Sequence, residues 1–283
     1  MKYQIIALDI DGTLLGSDNK ISPATRTALD RAYHNGLKVI LCTGRRFRTA
    51  RRFSIELGFD APIVTNCGAL IKNPQTEETL YRNALDVSRC EALMHFLLER
   101  SDSVVTYLDT PLDTNRDFVI CDRASSSASF QKYLAIHRGL YYLLPDGRLP
   151  EGSIPIGICV IEDRERLNQI EMEVQKHFGS SVQEHIMGSV PVLGPVLEMF
   201  APGTTKWNAL CTWAETLDVH PDGIVAAGDE MNDMEMISKA GLGAAMGNAR
   251  QEIKDVADLV LPSNDEDGIV ALVQHLLESM EEK

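Results

Sequence analysis

Apolar residues cluster along this chain in short unbroken runs separated by amphipathic stretches. Residues 3–8 are apolar except for Gln4 and are followed by Gly12, the pattern of a strand buried on both faces of a parallel sheet. Ser22-Pro23 predicts a helix start, with Ser as cap and Pro in the first position. Ala24, Ala28, Leu29 and Ala32 give that helix an apolar face, and Asn35-Gly36 ends it. A second buried strand is expected over 37–42, then a helix after Thr43-Gly44-Arg45 that stops near Gly58. Residues 63–65 form a third strand, and 69–71 and 79–82 read as a hairpin around Asn73-Pro74.

From about Asn83 the texture changes. A helix over 88–100 is followed by short strands at 104–107 and 118–120, a Ser/Ala-rich segment, and a Tyr141-Tyr142 strand ending at Asp146-Gly147. A strand at 156–161, a helix over 164–178 and a region over 183–192 complete this part. Regular alternation resumes with strands at 196–200, 223–227, 243–246 and 259–261, and helices over 204–217, 232–240, after Asn248 and at the end. The expected fold class is α/β: a doubly wound, Rossmann-like, mainly parallel sheet made of 1–82 and 195–283, with an inserted α/β domain over 83–194 that has hairpins and is mainly antiparallel.

Composition narrows the partners. With 27 basic and 41 acidic residues in 283, the net charge is −14, which argues against nucleic acid or an anionic membrane as the main partner. No apolar run is long enough for a membrane span, and the opening leads into a strand rather than a signal peptide, so a cytoplasmic location is expected. The cysteines (Cys42, Cys67, Cys90, Cys121, Cys159 and Cys211) are dispersed without zinc-ligand spacing and read as reduced, mainly buried thiols.

Candidate chemistry gathers at the carboxyl ends of the predicted core strands, where open α/β sheets bind ligands. Asp9 and Asp11 close the first strand. Because side chains alternate, both can point one way while Ile10 points into the protein, and two carboxylates so close either share a proton or bind a cation. Thr43-Gly44 offers a hydroxyl and an N–H suited to a phosphate oxygen. Lys206 opposes the dipole of its helix and calls for an anion nearby. Gly228-Asp229-Glu230-Met231-Asn232-Asp233 places three acids and an amide at a strand-to-helix junction, with Asp229 and Asp233 on one face if the helix has begun by Asp229. Arg45, Arg46, Arg48, Arg51 and Arg52 form a basic cluster that reads as a solvated helix face.

Asp9-Ile10-Asp11-Gly12-Thr13, Thr43-Gly44-Arg45, Lys206 and the 228–233 run, in that order, resemble the four motifs of the haloacid dehalogenase-like phosphohydrolases. The segments 234–241 and 245–249 are similar to the Cof-type branch, which carries an α/β cap between its second and third motifs. Two positions depart from the pattern: Cys67 stands where Asn is common before Gly68-Ala69, and Trp207 where Gly often follows the lysine. The resemblance implies a phosphatase acting on a small phosphorylated metabolite, with Mg2+ as cofactor. It implies Asp9 as nucleophile and Asp11 as general acid and base. Asp9, Asp11 (through its backbone carbonyl), Asp229 and Asp233 would hold the metal, with Ile10, Thr43, Gly44, Lys206 and Asn232 binding the phosphoryl group. A phosphomutase and a non-catalytic sugar-phosphate sensor remain as alternatives. A receiver domain does not fit the length or the motif order. Substrate choice is expected to rest on cap side chains; Arg116, Arg123, Asp113 and His185 are polar cap residues that read foremost as surface groups.

Overall fold

The computed structural model describes residues 2–111, 114, 116–122, 125, 127–145, 147–190 and 194–281. The chain opens with β1 (Ile5–Leu8), α1 (Pro23–His34), β2 (Lys38–Cys42), α2 (Phe47–Leu57), β3 (Ile63–Thr65), β4 (Leu70–Lys72) and β5 (Thr79–Arg82). The middle holds α3 (Val87–Leu98), β6 (Val104–Leu108), β7 (Phe118–Cys121), α4 (Ala128–Ile136), β8 (Tyr141–Leu144), β9 (Pro155–Ile161), α5 (Arg164–Phe178), β10 (Gln183–Val190) and β11 (Gly194–Phe200). It closes with α6 (Lys206–Glu215), β12 (Ile224–Gly228), α7 (Met234–Lys239), β13 (Leu242–Ala245), α8 (Gln251–Lys254), β14 (Leu259–Val260) and α9 (Gly268–Glu281). These elements divide into two compact units, 1–81 with 205–283 and 82–204.

The first unit is built on an eight-stranded sheet in the order β14-β13-β12-β1-β2-β3-β4-β5. The pairs from β14 to β3 are parallel, and β4 turns back antiparallel on β3. β1 lies in the interior of this order, which is why Ile5, Ile6, Ala7 and Leu8 are all fully buried and why the sequence there carries no polar alternation. Tyr3 and Gln4 precede the strand, although the Gln4 N–H still donates to the Gly223 carbonyl and the Gln4 carbonyl accepts from Lys38. Ser22 caps α1 as expected, its hydroxyl accepting the Thr25 N–H at 3.0 Å. Gly58 ends α2 in the left-handed region (φ 76°).

The second unit has a six-stranded sheet ordered β10-β11-β9-β6-β7-β8. Among the described residues its strands pair antiparallel except β7 with β8, which are parallel. Its core packs α3 and α5 residues such as Leu93, Leu97, Leu167 and Ile170 against Ile158, Val160 and Leu197 of the sheet. Residues 196–200 were expected to reopen the parallel core after a boundary at 194; they lie instead within β11, paired between β9 and β10. A short unbroken apolar run is compatible with any strand covered on both sides, so its texture did not say which sheet would take it. The second unit accordingly extends to Thr204.

Two further differences affect the site. α7 begins only at Met234, after a tight turn over Met231–Asp233, so Asp229 lies outside the helix. After β1 the chain coils immediately, with the Leu14 and Leu15 N–H groups donating to the carbonyls of Asp9 and Ile10 and with Gly12 at φ 74°.

Candidate active site

The segments after two strands of the first unit, β1 and β12, converge on one lysine. Lys206, the first residue of α6, is 1% exposed, and its Nζ donates to Asp9 Oδ1 and to Asp233 Oδ1, each at 2.6 Å. Asp9 follows β1, and its N–H donates to the Ala227 carbonyl of β12. Asp233 folds back toward β12, its Oδ2 accepting the N–H groups of Asp229 and Glu230 at 3.1 Å each. Asp229 is held in turn by the Thr13 hydroxyl, which donates to its Oδ1 at 3.0 Å. Glycine makes these approaches possible: a side chain at Gly12 would run into the Asp229 carboxylate, and one at Gly228 into Asp233.

Asp9, Asp229 and Asp233 each bring a carboxylate oxygen within 4.8 Å of the others. Three acids therefore cluster where one ammonium bonds two of them, and the charges do not balance. Burial pushes the Asp9 carboxyl well above its ordinary range against the pull of Lys206, and the charges of Asp233 and Asp229 add to the rise. Burial and the neighbouring Asp233 raise Asp229 to about 7. Burial works against the charged form of Lys206, but Asp233 and Asp9 outweigh it and hold its pKa up. An oxygen-only donor set, two of its three acids buried, with excess negative charge fits a hard divalent cation.

Asp11 behaves differently from its neighbour. It is absent from the three-acid cluster, and its side chain is 37% exposed. Its two oxygens accept from Arg45, Oδ2 from Nε at 2.6 Å and Oδ1 from Nη2 at 2.5 Å. The sequence left the two carboxylates to share a proton or bind a cation; in the structure the chain coils at Ile10, Asp9 bonds Lys206, which it shares with Asp233, and Asp11 bonds Arg45. Sequence reasoning read Arg45 as part of a solvated face and so missed it. Its position directly after Thr-Gly at a core strand end was the available signal. The rest of that basic cluster also disperses, with Arg46 buried ahead of α2, Arg51 Nε donating to the Pro74 carbonyl at 2.6 Å, and Arg52 over the Phe53 ring.

The remaining candidates line the same strand ends. Thr43 is buried, and its Oγ1 accepts the Arg45 N–H at 3.1 Å; Gly44 lies between them, half-buried. The Asn232 amide donates to Cys67 Sγ at 3.5 Å, and the Cys67 N–H donates to the Thr43 carbonyl. Cys67 and Asn66 are both left-handed (φ 53° and 50°). The next residue, Gly68, packs so closely on the Thr205 backbone that a side chain there would overlap it. Among the described residues, both side-chain amide atoms of buried Asn66 lack a hydrogen-bond partner, a feature the sequence did not announce. Ile10 is fully buried, and Trp207, the other departure, packs into the core. Of the expected cap residues, His185 Nε2 lies 3.1 Å from the Thr204 carbonyl and Arg116 sits over the Tyr142 ring. Asp113 and Arg123 lie outside the described residues.

Comparison with known proteins gives a concordant picture. The family model described as haloacid dehalogenase-like hydrolase matches residues 6–273. The HMP-PP phosphatase of Cronobacter sakazakii is 31% identical over 87% of this chain and 85% of its own length. The pyridoxal phosphate phosphatase YbhA of Escherichia coli is 26% identical over 98% of this chain and 100% of its own. Among solved structures, a haloacid dehalogenase-like hydrolase from Bacteroides thetaiotaomicron superposes with a TM-score of 0.76 at 26% identity, covering 97% of this chain and 100% of that one.

Proposed function

This chain belongs to the haloacid dehalogenase-like hydrolases, as a phosphatase of the Cof type, and we propose that it hydrolyses a small phosphorylated metabolite with Mg2+ through a phosphoryl group carried on Asp9. The observation that carries this reading is the cluster of Asp9, Asp229 and Asp233, of which Asp9 and Asp233 hold buried Lys206. The relatives named as phosphatases of HMP-PP and of pyridoxal phosphate support small phosphorylated metabolites, phosphorylated cofactors among them, as the substrate class, beside sugar phosphates.

The size of the task explains why so many groups are needed. Enzymes accelerate phosphate-monoester hydrolysis by up to about 10²¹, whereas general acid–base catalysis contributes only about 10² to 10⁴. A covalent step and electrostatic clamps must add to it. Lys206 holds one oxygen of Asp9 and so orients the carboxylate as nucleophile. Asp9 attacks phosphorus, and the leaving oxygen takes a proton from Asp11. Asp11 then removes a proton from the water that hydrolyses the acyl phosphate, which restores both acids. Lys206, Asn232, Thr43 and the Gly44 N–H hold the phosphoryl oxygens. Asp9, the Asp11 carbonyl and Asp229 would ligate Mg2+, with Asp233 acting through water because its oxygens already serve Lys206 and two backbone N–H groups. When bound, the ion supplies Lewis-acid stabilisation of phosphoryl charge and offsets the excess negative charge of the site.

The test is phosphate release with Mg2+ from a panel of sugar phosphates and phosphorylated cofactors, for the wild type and for Asp9→Asn. The wild type turns over at least one compound, and the variant loses turnover by orders of magnitude. Near-normal activity of Asp9→Asn would remove the nucleophile assignment, and an isomerised product would make the chain a mutase.

A further inference from the structure

The Arg45 side chain takes no part in the mechanism above, yet it is anchored at every level. Its N–H donates to Thr43 Oγ1 at 3.1 Å, and its carbonyl accepts the Asn66 N–H at 3.0 Å, so its backbone ties the end of β2 to the loop after β3. The guanidinium carbon lies 5.1 Å from the Phe53 ring centroid. The tip forks onto both oxygens of Asp11, and the Arg45 side chain is only 21% exposed. Asp11 itself stands in an unusual position for a proton-transfer group. Its carboxylate projects from a coil of the chain, is more open to solvent than Asp9, and takes no part in the ammonium network of Lys206. Without a partner such a side chain would sample several rotamers. A planar two-point fork fixes both oxygens at once, which a single-point cation does not.

We propose that Arg45 is the positioning residue for Asp11: through its bidentate fork it aims that carboxyl group at the leaving-group oxygen of a phosphoester. The assignment rests on the phosphatase reading and adds a residue to it. Arg45 touches the acid rather than the substrate, so its loss affects the proton delivery that a poor leaving group requires and leaves phosphoryl binding intact.

Leaving-group dependence separates this role from a structural or substrate-binding one. The measurement is kcat/KM for an alkyl phosphate, whose alkoxide must be protonated as it departs, and for p-nitrophenyl phosphate, whose phenolate departs without help. Arg45→Met keeps the stem packed on Phe53 and removes the fork. It lowers kcat/KM for the alkyl ester by about tenfold or more, within the range of general acid catalysis, and that for the aryl ester by less than about threefold. Arg45→Lys, with one contact point, gives an intermediate ratio and carries the test if the Met variant fails to fold. In an Asp11→Asn background, Arg45→Met adds less than about a twofold further loss, because the two side chains act as one unit. Equal losses on both esters, or losses that multiply in the double variant, overturn the assignment. Absence of wild-type turnover on any phosphoester overturns the phosphatase reading itself and this role with it, which distinguishes the two failures.

Discussion

Lys206 bonds two buried acids, Asp9 and Asp233, with half-buried Asp229 beside them, and the consequence at the residue scale is a site that gains from a proton or a cation. Asp229, raised to about 7 from an ordinary 3.8, shows the sign. Between those values the metal-free folded protein keeps a proton that the unfolded chain has released. The contribution is therefore fully present below 3.8 and is lost as pH rises through about 7. Asp229→Asn removes that dependence. In chelator, the stability of the variant relative to the wild type rises with pH across this window, and saturating Mg2+ diminishes the difference by favouring the charged wild-type site. Urea unfolding at several pH values checks this; a difference independent of pH would contradict it. The acids that the structure gathers, Asp9, Asp229 and Asp233, were already candidates in the sequence, because each follows a predicted core strand. How Asp9 and Asp11 divide was not legible: whether Asp11 joins Asp9 or turns to Arg45 depends on the coil at Gly12, whose positive φ has no periodic signature.

Elements carry these residues through a few close backbone approaches. The loop after β3 and the start of α6 meet where Gly68, at φ 103°, lies against the Thr205 backbone, and Lys206 is the next residue. Gly68→Ala would place a methyl group in that backbone and impose a conformation L-residues avoid, at a cost of about 2 kcal/mol or more. It should lower both urea-unfolding stability and kcat, because α6 must shift to relieve the overlap and Lys206 shifts with it. A variant within about 0.5 kcal/mol of wild type would show that the approach is not restrictive. The strands and helices on either side were readable from apolar runs and from the Ser22-Pro23 and Gly58 signals. The boundaries of α7 and the sheet that takes β11 were not. The acids of 229–233 satisfy backbone N–H groups in a tight turn before the helix begins, and an unbroken apolar run leaves its pairing partner open.

For the whole molecule, the two-part organisation follows from a break in texture, and each unit closes its own sheet and core. A chain of net charge −14 that accepts an anionic ester must concentrate cationic character locally, which Lys206 and Arg45 provide at adjoining strand ends. Everything proposed for that site depends on Asp9 carrying a phosphoryl group during turnover. The direct measurement is to quench the Mg2+-loaded wild type in acid during steady-state hydrolysis of a good substrate and locate any phosphoryl label by peptide mass spectrometry. Label is expected on Asp9, lost on brief treatment with hydroxylamine as an acyl phosphate would be, and absent from Asp9→Asn; label on another residue, or full turnover by that variant, would rule out Asp9 as the phosphoryl carrier.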